Sequence, residues 1–255
     1  MYNAQGSFAP HASRHRPETR PAPPRADAGL APCIALIGCD GSGKSTLTQD
    51  IVARLDRQAP TRTVYLGLGT GDLGRRIGQL PLIGPTIERY LTGKAKKTHS
   101  KHGKIPGPVT ALAVFAFSLA RYRRFRKAMR ARAHGVRMVT DRYPQAEVAG
   151  AFDGPGLSSA RAGSPFVAWL ARKERALYDR MAAARPTLVV RLNVDADTAL
   201  ARKPDHPRAL LEKKIAVVPT LRFNGAPIVD VDATRPYEEV RATVLALLRE
   251  RGLCR

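Results

Sequence analysis

A chain of 255 residues, 44% hydrophobic and 25% charged, has room for one sizeable α/β domain or two small ones and has an ordinary globular composition. The formal net charge of +22, from 43 Lys and Arg against 21 Asp and Glu, reflects scarce acids and favours polyanionic partners: nucleotides, nucleic acid or an anionic membrane face. The three cysteines, Cys33, Cys39 and Cys254, make no disulfide-like framework, and no apolar run reaches the roughly 18 residues of a spanning helix.

Residues 1–31 are rich in Pro, Ala and Arg ("RPETRPAPPRADAG") and lack the apolar core of a secretory signal. Prolines would break the amphipathic helix of a transit peptide, so a disordered tail ahead of one domain over 32–255 is expected, in the cytoplasm. From Pro32 the pattern changes. "CIALIG" (Cys33 to Gly38) suits a buried parallel strand, and Leu47, Ile51 and Leu55 then recur at helical spacing. Four more strand-like runs follow: Thr63 to Gly69, Val136 to Asp141, Thr187 to Val194 and Pro227 to Asp232. Helical patterns separate them at Val109 to His134, Val167 to Ala184, Asp195 to Lys203 and Tyr237 to Arg249. Alternation of this kind predicts a parallel sheet covered on both faces. In the longest helix, Leu112, Phe115, Leu119, Tyr122, Phe125 and Met129 form the expected core stripe, and Gly135 is the expected stop.

Gly38 to Ser45 reads G-C-D-G-S-G-K-S, the pattern G-x-x-x-x-G-K-[ST] between a strand and a helix. Glycines at this density turn successive N–H groups toward phosphate oxygens, and the following helix presents its positive end to the same anion. The nucleotide cradle is therefore Gly38, Asp40, Gly41, Ser42, Gly43, Lys44, Ser45 and Thr46. Lys44 can reach the β- and γ-phosphates of ATP, and the Ser45 hydroxyl can ligate Mg²⁺. Asp141 ends a strand, from which it could hold Mg²⁺ through water; its alternative is a turn cap. Asp40 would oppose phosphate unless it faces something else; its alternative is to stabilise the turn.

Together these residues resemble the thymidylate kinase branch of the P-loop nucleoside monophosphate kinases. "GCDGSGKST" is similar to that family's phosphate loop and "VTDRYPQ" to its Asp-Arg-Tyr strand end. "RLNVDADTALARK" is similar to its fourth strand and lid helix, and "VDVDATRPYEEV" to its last strand. The likeness runs from about Cys33 to Leu248. It implies a three-layer α/β/α P-loop NTPase fold with a five-stranded parallel sheet, a short lid near residues 202–214, Mg·ATP as donor, and phosphoryl transfer to a phosphorylated acceptor. It also implies roles. Asp40, Arg121 and Arg142 would bind the acceptor, Asp141 would sit near the metal, and Arg202 and Arg208, with Lys203, would be the lid cations, acting with Lys44 on the transferred group. Two departures concern the acceptor. "GLGTGDLGRR" stands where the family carries Arg-Pro-Gly-Gly-Thr, with Arg75 or Arg76 as replacement, and "PQAEVAGAFDGPG" stands where the family holds thymidine.

Between Glu88 and Asp141 there is no acid but fourteen Lys or Arg. This window reads as a solvated face, an extended site for a highly charged or lipid-linked phosphate, or a nucleic-acid contact. His99 and His102 do not read as a metal pair, because lysines surround them. The leading expectation is thus a kinase acting on a nucleoside monophosphate-like acceptor. A kinase for a sugar or lipid-linked acceptor at a membrane surface is the second, with Val109 to Ala120 as the docking stretch. A nucleic-acid-binding NTPase or regulator is the third. Expected partners are a nucleotide and a small phosphorylated acceptor, with an anionic membrane, nucleic acid and a homodimeric copy as further candidates.

Overall fold

The computed structural model describes residues 29–67, 107–159 and 162–255. Five strands, β1 (Cys33–Gly38), β2 (Thr61–Tyr65), β3 (Arg137–Asp141), β4 (Leu188–Asn193) and β5 (Ile228–Asp232), form one all-parallel sheet in the order β2-β3-β1-β4-β5. The helices are α1 (Lys44–Asp56), α2 (Pro108–Ala133), α3 (Pro165–Ala183), α4 (Ala196–Arg202), α5 (Arg208–Val217) and α6 (Tyr237–Glu250). This is the expected three-layer α/β arrangement. Its strands carry long apolar runs because both faces are covered.

The two-residue period of the strands sorts their side chains into two cores. Ile34, Leu36, Val139, Leu188, Val190, Leu192 and Val231 face Leu47, Ile51 and Leu55 of α1 and Val240, Val244 and Leu248 of α6. Cys33, Ala35, Ile37, Met138 and Val189 face Phe125 and Ala128 of α2 and Tyr178 and Met181 of α3. The chain runs from β1 past β3 to β2 and from β3 past β1 to β4, so the connections leave the neighbouring carboxyl ends of β1 and β3 in opposite directions. The resulting crevice is where ligands of open α/β sheets bind.

Boundaries hold to a residue or two, except at β2. That strand runs from Thr61 to Tyr65, so it starts two residues before the expected Thr63 and stops ahead of Leu66 and Gly67; Gly69, Arg75, Arg76, His99, His102 and the tail up to residue 28 fall outside the described residues. Ala31 already belongs to the domain, exchanging hydrogen bonds with Arg132. α2 stops at Gly135 as expected, with Gly135 N–H donating to Arg132 O and Val136 N–H to Ala131 O.

The core stripe of α2 requires a correction. The buried seam is Ala111, Val114, Ser118, Arg121, Phe125, Ala128 and Arg132, alternating steps of three and four. The expected stripe lies mostly one residue further on; apart from Phe125 its members are half-buried, and Leu112 is exposed. The seam rotates because polar residues in it find buried partners on α3. Ser118 Oγ donates to Glu174 Oε1 at 2.6 Å and Arg121 Nη1 to Tyr178 Oη at 3.0 Å. Hydrophobicity alone cannot register such pairs.

Candidate functional site

β1 is buried throughout and ends at Gly38, where the chain passes under β4: a Cβ there would lie 2.5 Å from Ser42 Oγ and 2.8 Å from Leu192 O. Gly41 has φ +86°, and a Cβ on it would come within 2.6 Å of the Ala199 carbonyl on α4. Both positions require glycine, one by close approach and one by conformation as well. α1 begins immediately after, with no side-chain cap and no acid in its first turn, so its positive end is left to an external anion.

Lys44 lies inside the loop. Its Nζ donates to Cys39 O at 2.5 Å and to Ser42 Oγ at 3.4 Å. Burial, then repulsion from Arg142, lowers its pKa to about 8. Ser45 Oγ donates to Asp141 Oδ2 at 3.0 Å across the carboxyl ends of β1 and β3. The other carboxylate oxygen, Asp141 Oδ1, is buried and has no hydrogen-bond partner. A hydroxyl and a half-satisfied carboxylate are hard oxygen donors of the kind Mg²⁺ takes when phosphates supply the rest of its shell. Among the described residues no group of three or more His, Cys, Asp or Glu forms a protein-only metal cage.

Flanking the loop on one side is a cleft of about 390 Å³ lined by Ser42, Gly43, Thr46, Arg202, Ala233 and Tyr237, among others. The Arg202 guanidinium spans it, donating to Ala233 O at 2.7 Å, Thr234 O at 3.3 Å and Gly41 O at 3.4 Å. On the other side Asp40 collects basic side chains from three separate segments. Arg142 Nη2 donates to its Oδ1 at 3.1 Å, Lys214 of α5 pairs with its Oδ2, and His206 Nε2 stands 3.8 Å away. Burial pushes the Asp40 carboxyl up, but Lys214, Arg142 and Lys44 outweigh it and bring the pKa down to about 2.

Arg142 follows β3 with φ +66°, a left-handed turn for a residue with a side chain, which swings its guanidinium back over the strand end. Its Nη1 lies 3.6 Å from Asp153 Oδ2, and Asp153 above all holds its pKa above the ordinary arginine value. Asp153 in turn is held by Arg121, whose Nη2 donates to its Oδ1 at 2.9 Å and whose Nη1 donates to its main-chain oxygen at 3.0 Å. The loop carrying Asp153 is built around Gln145. The Gln145 Nε2 donates to Val148 O and Ala151 O at 2.8 Å, and its Oε1 accepts from Val148 N–H at 2.8 Å.

The expected residues thus divide. Gly38, Asp40, Gly41, Ser42, Gly43, Lys44, Ser45 and Thr46 lie together with Asp141, Arg142 and Arg202. Arg121 is 0% exposed, so it reaches the site only through Asp153. Arg208 points elsewhere: it is half exposed and paired with Asp197 and Glu212. Lys203 is exposed. Sequence reading missed Asp153, Gln145, Lys214 and His206. Asp153 and Gln145 lie in the segment already marked as divergent, and His206 and Lys214 within the expected lid, but no local pattern singled out any of the four.

No family model matches the chain. Over 208 residues it is 46% identical to the uncharacterized ATP-binding protein YghS of Escherichia coli strain K12, covering 81% of this chain and 88% of that protein. Over the same length it is 45% identical to the uncharacterized ATP-binding protein YghR of that strain, covering 81% and 82%.

Proposed function

This chain belongs to the family of YghS and YghR, and on that footing we propose that it binds ATP with Mg²⁺ and transfers the γ-phosphoryl group to a phosphorylated, nucleoside monophosphate-like acceptor, as a thymidylate kinase-like enzyme would. The observation that carries the reading is Ser45 bonded to Asp141 at the mouth of the glycine loop, with Asp141 Oδ1 buried and unpartnered between the Arg202 cleft and the charged cluster around Asp40. The chamber with Arg202, Ala233 and Tyr237 takes the nucleoside of the donor. Main-chain N–H groups from Gly41 to Thr46 take its phosphates, and the planar Arg202 guanidinium lies against the base. Ser45 and Asp141 would hold Mg²⁺, which would supply charge neutralisation at the phosphates.

The side of the loop with Asp40, Arg142 and Lys214 takes the acceptor. Its phosphate exchanges with Asp40 for Arg142 and Lys214, leaving Asp40 to accept from an acceptor hydroxyl. An acceptor oxygen then bonds to the γ-phosphorus as the bond to the ADP oxygen breaks, and the electron pair leaves with ADP. Lys44 moves from the Cys39 carbonyl to the transferred group, and Arg121 is a positioning residue acting through Asp153. Arg208 joins the phosphates only if lid motion separates it from Asp197.

A screen of nucleoside monophosphates and phosphorylated sugars with Mg·ATP, followed by ADP release, tests the reading. Turnover with one class identifies the acceptor. Calorimetry that detects no magnesium-dependent uptake of a purine triphosphate by folded protein would overturn the donor site. A sugar or lipid-linked acceptor is the second reading. It is favoured by the carboxylate pairing of both acceptor-side cations and by the missing family arginine after β2, since hydroxyls can bind Asp40 and Asp153 directly.

A further inference from the structure

Two helices overtop the carboxyl edge of the sheet. α2 has 26 residues, about 39 Å at 1.5 Å per residue, whereas β3, to which it returns, has five residues and spans about 17 Å. Arg121, in mid-helix, meets Asp153 in the loop after β3, so the stretch before it, Pro108 to Ala120, stands beyond the site. α3 runs back to β4 in the same direction. The first turns of the two helices pack together through Ala111, Val114, Val167 and Leu170.

The outer surface of these tips is apolar. Five large hydrophobic residues are exposed among the described residues, and four of them are here: Val109 (57%), Leu112 (51%), Phe166 (46%) and Trp169 (45%). The rings of Phe166 and Trp169 stack with centroids 6.2 Å apart, and Lys173 Nζ lies 5.8 Å from the Trp169 centroid. Further down, the solvent faces turn cationic. Arg123, Arg126, Lys127 and Arg130 are exposed on α2, and Arg172, Lys173 and Arg175 on α3. Asp179, paired with Arg175, is the exposed acid on these two helices.

We propose that the joined tips of α2 and α3 are a docking surface for an anionic phospholipid bilayer, with Leu112, Phe166 and Trp169 entering the interfacial layer and Arg172, Lys173 and Arg175, one to two turns below on α3, lying over its headgroups. Tryptophan beside lysine suits that layer, where one part of the side-chain pair is apolar and the other hydrated. Each cation near an anionic surface adds attraction that salt removes. A second copy of the chain fits less well, because abutting tips would bring two cationic collars of the same sign together. Docked this way, the bilayer faces the same end of the sheet as the glycine loop. The inference does not depend on the proposed reaction.

The chain has a single tryptophan, so Trp169 is a built-in reporter. The full-length protein without nucleotide is mixed with vesicles of phosphatidylcholine alone or of phosphatidylcholine with phosphatidylglycerol. Expected results are co-sedimentation with the anionic vesicles only, a blue shift of Trp169 emission, and quenching by lipids brominated on the acyl chain. Binding should weaken in high salt, and by about ten-fold or more in a doubly substituted Arg172→Glu, Lys173→Glu protein. Leu112→Glu should reduce binding without changing the thermal unfolding midpoint, and Lys44→Ala should bind vesicles normally, which separates this surface from the nucleotide site. Three outcomes would overturn the proposal: no co-sedimentation, binding with unaltered Trp169 emission, or a dimer in lipid-free solution that Leu112→Glu dissociates.

Discussion

The two sides of the glycine loop are built by different means. The proposed donor side is mostly main chain: eight consecutive residues, a strand ahead of them and a helix behind, with Ser45 and Asp141 as the main side-chain link to the rest of the sheet. The proposed acceptor side is mostly side chain. It is a relay from Tyr178 and Arg121 through Asp153 to Arg142, Asp40 and Lys214, drawn from α3, α2, two loops and α5. A site made of backbone tolerates substitution of its surroundings, because its N–H groups do not depend on which side chains flank them. A site made of buried charges couples ligand recognition to stability, since each member leaves another unpaired when removed.

The largest effect that would break this contrast is at Lys44. Lys44→Ala should lower phosphoryl transfer by about 10²- to 10³-fold whatever the acceptor, as loss of a preorganised cation does. Its unfolding midpoint should not fall, because the wild-type protein holds that charge in a buried position that lowers its pKa to about 8. A marked loss of stability would mean that Lys44 is structural.

The acceptor side should behave the opposite way. Asp153→Ala strands the fully buried Arg121 and should cost about 3 kcal/mol in urea unfolding. Arg142→Ala, at a side chain 31% exposed, should cost far less stability and instead raise the acceptor KM by about ten-fold or more. If both variants were equally stable, the relay would carry no structural weight.

The pH dependence of nucleotide binding sharpens the comparison from the donor side. An unfolded lysine binds its proton up to about pH 10.5, whereas folded Lys44 releases it near pH 8. In that window the unfolded state holds more protons, so Lys44 destabilises the fold increasingly as pH falls from about 10.5 to 8 and by a constant amount below. Triphosphate favours the charged form. Binding should therefore take up a proton above about pH 8, read as a dependence of calorimetric heat on buffer ionisation enthalpy, and affinity should decline as pH rises further.

The smallest effect is expected between α4 and α5, at Arg202 and Arg208. Arg202→Ala should weaken nucleotide affinity by about ten-fold, because its guanidinium lies across the donor cleft. Arg208→Ala should leave that affinity unchanged, because its partners are Asp197 and Glu212 on the exposed side. A fall in kcat alone in the second variant would show that Arg208 enters on closure.

What was legible in advance follows the same division. "CIALIG" followed by the glycines and Lys-Ser-Thr determined strand, loop and helix by itself, because strand period, glycine conformation and helix start are properties of neighbouring residues. The alternation of strands and helices likewise determined a parallel sheet. Tertiary structure alone decided that Asp40 meets Arg142, 102 residues away, and Lys214, 174 residues away. It alone turned α2 so that Ser118 and Arg121 are buried while Leu112 faces outward. Arg121 is buried because Asp153 and Tyr178 arrive with it, and the arrival of a partner from another element is a fact of packing that no local pattern records.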